Sequence, residues 1–331
     1  MELGKKARIL CVLKYLENYS DCEHALTSAD ILQKLSDEGI TAERKAVYDD
    51  IEILRELGYD VVTSGGKNRG YYLANRSFSM PEVNLLTDAV MSAGFIPKGK
   101  TKNLVEKLHS LVSVYEADEI RSRICIENRA KSENDGVFGI IEQLNDAIIN
   151  RKTVKIVYTR DALGDKGVEK SKKEITVCPY ALLWDADRYY VIGNNPKYDN
   201  LMHLRVDRIE SVTSLKQPWR HFCEVSEYKQ RFDTADYASK TFNMFGGEKC
   251  RIDLECKLKL LDQITDKFTD NLFFRHFDGE DTFRFSADAL ISDGLVGWLM
   301  QFGGDIKVLS PETLKQSVRE KAETLANIYK D

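Results

Sequence analysis

Between Lys5 and Leu16 the apolar residues Ile9, Val12, Leu13 and Leu16 recur at the i, i+3, i+4, i+7 spacing of an amphipathic helix, which the sequence carries to about Asn18. Thr27 and Ser28 followed by Asp30 start a second helix with Ile31, Leu32 and Leu35 on its inner face, and Gly39 closes it. Thr41 stands where it could cap a third helix, whose stripe of Val47, Ile51 and Leu54 runs to Gly58. Its opposite stripe carries Thr41, Lys45, Tyr48 and Asp49. The stretch YDVVTSGGKNRGYYL then changes period to two and reads as two short strands around Gly65-Gly66, with Lys67 and Arg69 at the tip.

Three short helices and a basic-tipped hairpin are the plan of a winged helix-turn-helix, in which the third helix enters the major groove of duplex DNA. That plan places Thr41, Arg44, Lys45 and Tyr48 near base edges or phosphates, with Lys67 and Arg69 on an adjacent backbone. The competing expectation is a helical domain that docks on a partner protein, its charges merely solvated.

Residues 94–101, from Gly94 to Gly99-Lys100-Thr101, match the phosphate-loop pattern GxxxxGK[ST]. That chemistry needs a strand leading into the loop, whereas Ser79, Pro81 and Glu82 open a helix here whose face is Val83, Leu86, Val90 and Ala93. Gly94 then reads as a helix end, whose carbonyls repel phosphate, and the next helix carries Leu104, Leu108, Leu111 and Val112 inward. The motif is therefore expected to be a helix-helix connection. A last helical stripe, Phe138, Ile141, Leu144 and Ile148, ends near Asn150.

From residue 153 short strands alternate with turns at Gly164, Asp185–Asp187 and Asn194–Pro196, a spacing that suggests a small barrel. Residues 217–247 are irregular, with scattered aromatics, and are expected to wrap it. From Lys249 the order is strand, helix, strand, strand, helix, strand, helix, a small α+β sandwich with Pro311 at the start of the last helix.

Charge sharpens this picture. The chain of 331 residues carries 48 Lys and Arg against 53 Asp and Glu, a net −5, which excludes indiscriminate coating of nucleic acid. The first seventy-five residues hold ten basic and thirteen acidic residues, with the bases gathered at the start of the third helix and in the hairpin. Residues 150–216 hold thirteen basic and nine acidic residues. There Tyr158, Tyr180, Trp184, Tyr189 and Tyr190 are interleaved with Arg160, Arg188, His203, Arg205 and Arg208, the chemistry that stacks on and neutralises nucleotides. Seven cysteines without CxxC spacing indicate neither a disulfide framework nor a zinc cluster. No apolar run of membrane length and no secretory leader is legible, so a cytoplasmic protein is expected. No nucleophile-base pair or ligand spacing points to an enzyme, a metal or another cofactor.

The stretch CPYALLWDADRYYVIGNNPKYDNLMHLRVDRIESV resembles the WYL domain: Tyr189-Tyr190-Val191 stands at its Trp-Tyr-Leu signature and Leu204–Ile209 at its Arg-hydrophobic-Asp-Arg-Ile element. Upstream, TAERKAVYDDIEILRELGYDV resembles the recognition helix of the regulators to which such domains are fused. The resemblance implies a bacterial transcription regulator whose WYL domain is an Sm-like (SH3-type) β-barrel, and the pairing of such DNA-binding modules with two half-sites makes a homodimer the expectation. The resemblance further implies a nucleotide or nucleic-acid-like effector. Carried over by position, Tyr190, His203, Arg205 and Arg208 would face the effector, with Tyr158 and Tyr180 beside them. The signature Trp is Tyr189 here, and Asp49 stands at a position often basic in the recognition helix.

The expected architecture is thus a multidomain α+β chain. It comprises a winged helix-turn-helix (1–76), a helical connector (77–150), the WYL barrel (151–216), a wrapping linker (217–247) and a C-terminal α+β sandwich (248–331). The expected partners are double-stranded DNA, the effector and a second copy of the chain. The alternative function is a non-regulatory accessory protein that binds single-stranded nucleic acid or a partner protein through the barrel.

Overall fold

The computed structural model describes residues 5–122, 130–164, 167–268, 273–276 and 281–330. The chain divides into two compact units, Met1–Asp135 and Gly136–Asp331.

The first unit begins with α1 (Lys5–Tyr19), α2 (Ser28–Asp37) and α3 (Arg44–Glu56), followed by the hairpin β1 (Val61–Ser64) and β2 (Gly70–Leu73). Thr27 caps α2 as its sequence predicts: the Asp30 N–H donates to the Thr27 hydroxyl, and the Asp30 carboxylate accepts the Thr27 N–H at 2.8 Å. Thr41 does not cap α3. The helix starts at Arg44 with Glu43 at the cap position, so Thr41 is too far upstream for its hydroxyl to serve the first-turn amides. Val12, Leu16, Ile31, Leu35, Val47 and Ile51 close the core between the three helices, and Val61 and Leu73 extend it under the hairpin. Gly70 allows the hairpin to approach closely, since a Cβ there would lie 2.5 Å from the Leu26 carbonyl oxygen. Next to it, Leu26 and Tyr71 exchange backbone hydrogen bonds of 2.8 and 2.9 Å.

Three further helices complete this unit: α4 (Met80–Ser92), α5 (Lys98–His109) and α6 (Val114–Ser122). The Ser79–Glu82 capping box forms. The buried stripes are Val83, Thr87 and Met91 on α4 and Thr101, Val105 and His109 on α5. Val83, Ala93 and Val112 are buried as the apolar pattern indicates, whereas Thr87, Met91, Val105 and His109 lie one residue later than the expected Leu86, Val90, Leu104 and Leu108, because polar Thr87, Thr101 and His109 occupy inward positions that a hydrophobic count passes over. The GxxxxGK[ST] segment is a helix-helix connection: Gly99, Lys100 and Thr101 lie inside α5. The Thr101 side chain is fully buried there, its hydroxyl directed at the Ile96 carbonyl.

A polar joint unforeseen in the sequence ties α1 to α6. Ser113 Oγ donates to Asp21 Oδ2 at 2.6 Å, ninety-two residues apart and buried on both sides. Asp21 Oδ1 accepts the backbone amides of Glu23 and His24 and meets the His24 ring, which stacks on Tyr115 at 3.8 Å. The Arg76 guanidinium donates to the carbonyls of Leu16, Glu17 and Ser20, covering the end of α1.

The second unit opens with α7 (Val137–Ile149), whose buried residues are Val137, Ile140, Leu144 and Ala147. Leu144 is buried as expected, the other buried positions each precede the expected Phe138, Ile141 and Ile148 by one residue, and Phe138 is exposed. The helix packs on a five-stranded antiparallel sheet with which it forms one unit, so the connector is shorter than the apolar periodicity suggests. The strands are β3 (Val154–Gly164), β4 (Gly167–Asp185), β5 (Arg188–Asn194), β6 (Leu201–Arg205) and β7 (Ile209–Ser214), in the order β6-β5-β4-β3-β7. Among the described residues the sheet is not a closed barrel: β6 and β7 form its two edges, and the single 3-10 turn Val206–Arg208 that joins them leaves no ladder between them. The segment 217–247 includes α8 (Thr234–Lys240) and lays Trp219, Phe222, Phe232 and Tyr237 over Cys178, Tyr180 and Ile192.

The remaining elements are β8 (Glu248–Lys257), α9 (Leu261–Lys267), β9 (Phe273–His276), β10 (Thr282–Ile291), α10 (Asp293–Met300), β11 (Ile306–Ser310) and α11 (Glu312–Ile328). The strand order is β11-β8-β10-β9, and one face packs Ile252, Leu254, Phe283, Phe285, Leu295 and Leu314 between sheet and helices. The α+β expectation for this segment matches the observed order of elements. Pro311 sits one position ahead of the expected place, as the residue preceding α11. The expected turn at Asp278-Gly279 lies outside the described residues.

Candidate functional site

Two clusters of sequence-predicted residues come together, one in each unit. In the first, α3 directs Arg44, Lys45 and Tyr48 outward from its N-terminal half while Val47 and Asp50 anchor its inner face. Asp50 is held by Arg8, whose Nε and Nη2 donate at 2.6 and 2.9 Å, so this acid is turned away from the exposed stripe. The Arg44 guanidinium lies 5.6 Å from the Tyr48 ring centroid, and Tyr48 meets Tyr71 of β2 edge-on at 6.4 Å. A hydrogen bond with Ser28, helped by Arg44 and by the positive charge of Arg69, pulls the Tyr48 phenol below its ordinary pKa. Lys45, Lys67 and Arg69 are exposed, as is Thr41 upstream of α3. Arg55 fixes the hairpin to α3, donating to the Val61 carbonyl at 2.7 Å and the Thr63 hydroxyl at 2.8 Å.

In the second unit Tyr190 on β5 pairs in register with Arg205 on β6. The Arg205 amide donates to the Tyr158 hydroxyl at 3.3 Å, and its guanidinium makes a two-pronged contact with Asp207, Nε–Oδ1 3.1 Å and Nη2–Oδ2 2.6 Å. That hydrogen bond raises the Arg205 pKa further. Arg205 and Asp207 meet because the chain turns through the 3-10 segment after β6, and not through strand alternation as their spacing suggests. Arg188 shares the same carboxylate at 3.8 Å and touches Asp187 at 3.3 Å, so much of its donor capacity stays open to a ligand. Arg208 reaches Asp161 on β3 at 3.5 Å. The resulting surface sets the Tyr190 phenol beside three guanidinium groups, with Tyr158 buried beneath it as a support for β6, an arrangement that can stack on a planar ring and donate to phosphate oxygens.

The structure does not bring Tyr180 and His203 to that surface. Tyr180 is buried among Trp219, Phe222 and Phe232, and its hydroxyl donates to the Arg220 carbonyl at 3.0 Å. His203 lies under α8, its Nε2 2.8 Å from the Tyr237 hydroxyl, and burial pushes its pKa down to about 4. On that side it lines a cavity of about 710 Å³ whose other walls come from the 225–228 segment, α8 and the start of β8. Tyr237, Lys240 and Glu227 of this cavity were invisible to pattern reading, because the segment that carries them has no period. Its density of aromatics, Trp219, Phe222, Tyr228 and Phe232, is the signal that it covers something.

Among the described residues no group of His, Cys, Asp and Glu could hold a metal ion, and no helix is long and apolar enough to cross a membrane. The described cysteines are all unpaired.

With this geometry in place, comparison with known proteins adds two domain matches. Residues 139–214 match the WYL domain and residues 248–326 match the WCX domain. The WYL match takes in most of α7, in keeping with its packing on the sheet. A search of the curated proteins found no match. Among solved structures, the chain is similar to proteasome accessory factor B/C (PafBC) of Arthrobacter aurescens, with 18% identity and a TM-score of 0.30. That match covers 99% of this chain and 49% of the other, so the chain spans about half the length of that protein. A structure described as a CRISPR Cas-related protein matches at 14% identity and a TM-score of 0.37, covering 99% of this chain and 88% of the other. Neither superposition is close enough to carry an argument.

Proposed function

We propose that the chain is a WYL-type, DNA-binding transcription regulator that works as a homodimer in the bacterial cytoplasm and whose WYL domain senses a nucleotide or nucleic-acid-like effector. In this reading α1–α3 with β1 and β2 are a winged helix-turn-helix, and α7 with the five strands is an Sm-like element. The observation that carries the reading is the packing of α3 on the hairpin, where Tyr48 with Arg44 beside it meets Tyr71 of β2, so that the exposed Arg44 and Lys45 of a recognition helix and the exposed Lys67 and Arg69 of a wing would face one duplex. Arg44 and Lys45 would enter the major groove, and Lys67 and Arg69 would hold the flanking backbone. The Tyr190, Arg205 and Arg208 surface would take the effector, with Asp207 orienting Arg205 and the buried Tyr158 and His203 supporting β6 from beneath. Binding there changes transcription only if the effector contacts two arrangements of the regulator differently.

The test is footprinting of the DNA upstream of the gene by the full chain. Wild-type protein protects a site, Arg44→Ala loses that protection, and Tyr190→Ala with Arg205→Ala retains it while losing the response to single-stranded oligonucleotide or nucleotide. Equal protection by wild type and Arg44→Ala would refute the groove assignment.

A further inference from the structure

The cavity beside His203 holds a second constellation that the reading above does not use. Glu227 projects from the wrapping segment and bridges two ammonium groups that line the cavity, Lys240 at 2.9 Å through Oε1 and Lys249 at 2.5 Å through Oε2. Lys240 is almost fully buried and also holds Asp236 at 2.6 Å, while Lys249 meets Asp288 at 3.4 Å. Partial burial works against the Glu227 charge, but the hydrogen bonds from Lys249 and Lys240 outweigh it and keep the carboxyl below its ordinary pKa. Leu201, Val225, Tyr228 and Leu290 supply apolar and aromatic wall around this polar centre.

The charge count at the bridge sets the chemistry. Asp236 neutralises Lys240, but Asp288 is shared by Lys249 and Arg251, the latter at 3.3 Å, so without Glu227 the group carries one positive charge, and with it the group is neutral. A monoanion in place of Glu227 restores that resting state. A dianion adds repulsion from Asp236 and Asp288, and from Asp199 and Glu248, which also line the cavity. A volume of about 710 Å³ is within the range of small-ligand sites, about 300–1,000 Å³.

We propose that Glu227 occupies the anion position of an unfilled ligand site. The ligand is a small molecule with one monoanionic group, a carboxylate or a phosphodiester, on an apolar or aromatic body. Its anionic group binds Lys240 and Lys249 and displaces Glu227, which frees the 225–228 segment from the start of β8. The site is separate from the Tyr190–Arg205 surface and does not depend on DNA binding.

Calorimetric titration of the full chain with benzoate and with diphenyl phosphate tests this, with benzamide as the uncharged counterpart of benzoate. Glu227→Gln keeps the shape and removes the competing charge, so it binds at least one of the two anions about tenfold tighter than wild type, and benzamide shows no such gain. The anion that gains identifies the carboxylate or the phosphodiester as the favoured group. Adding Lys249→Ala to Glu227→Gln abolishes the gain. Equal affinities of wild type and Glu227→Gln for both anions, or a gain that survives Lys249→Ala, overturns the proposal. Should Glu227→Gln fail to fold, limited proteolysis of wild type decides: saturating anion accelerates cleavage in 225–232, and an unchanged rate overturns it.

Discussion

Replacing Ser113 by Ala removes one hydroxyl from the joint between α1 and α6 and leaves Asp21, 8% exposed, without its hydrogen bond of 2.6 Å from that hydroxyl. A hydrogen bond to a charged group contributes about 1.5–3 kcal/mol, so local opening of the joint becomes about 10- to 150-fold more frequent. The remaining contacts of Asp21, the Glu23 and His24 amides at 3.0 and 2.8 Å, supply the probe. Amide hydrogen exchange at Glu23 and His24 in the full chain should accelerate by that factor, while amides in the core of α3 keep their wild-type rates. A pH series gives an independent reading. Burial opposes the Asp21 charge, but Ser113 and His24 together with the two amides hold its pKa below the ordinary carboxylate value. The joint therefore contributes stability above the unfolded-state pKa and loses it as pH falls through the folded one. Without Ser113 the folded pKa rises and the loss begins at higher pH. Unchanged exchange at Glu23 and His24, with the same acid onset, would refute the assignment of this pair as the joint.

Three further outcomes follow. His203 has its folded pKa lowered from 6.5 to about 4, so stability falls as pH drops from about 6.5 toward about 4, where the unfolded chain takes up a proton first; His203→Gln should flatten thermal melting over that interval, and an unaltered slope would show that another group is responsible. Leu254→Ala opens a cavity in a fully buried site of the C-terminal sheet and should cost about 2–5 kcal/mol, read as a lower unfolding midpoint of the second unit. Lys100→Ala, on the exposed side of α5, should shift stability by less than about 0.5 kcal/mol and leave the signal of a fluorescent ATP analogue at background; substitution-sensitive ATP binding would restore the phosphate-loop interpretation.

Where local pattern decided the structure, the sequence was legible. The α1–α3 core, the hairpin after Gly58 and the strand-helix order from residue 248 all follow from apolar spacing and turn residues. The pattern misled where polar side chains turned inward, at Thr87, Thr101 and His109, and where a helix starts two residues later than its capping candidate requires, at Thr41. Sheet closure was not legible, because a spacing of short strands does not say whether the two edges meet. The candidate site was partly readable. Tyr190 and Arg205 are opposite each other across two strands, yet Tyr180 and His203 were separated from them by a wrapping segment with no period of its own. Pairs far apart in sequence, such as Asp21 with Ser113 or Glu227 with Lys249, leave no local signature.

Duplex binding at α3 and the hairpin is the central claim, and its salt dependence tests it most directly. Fluorescence anisotropy with the protected upstream DNA, across a range of salt concentrations, gives the slope of log affinity against log salt. Lys67→Ala and Arg69→Ala should each weaken binding and each reduce the slope by about 0.9–1, the loss of one phosphate contact. Wild-type affinity and slope in both variants would contradict the account.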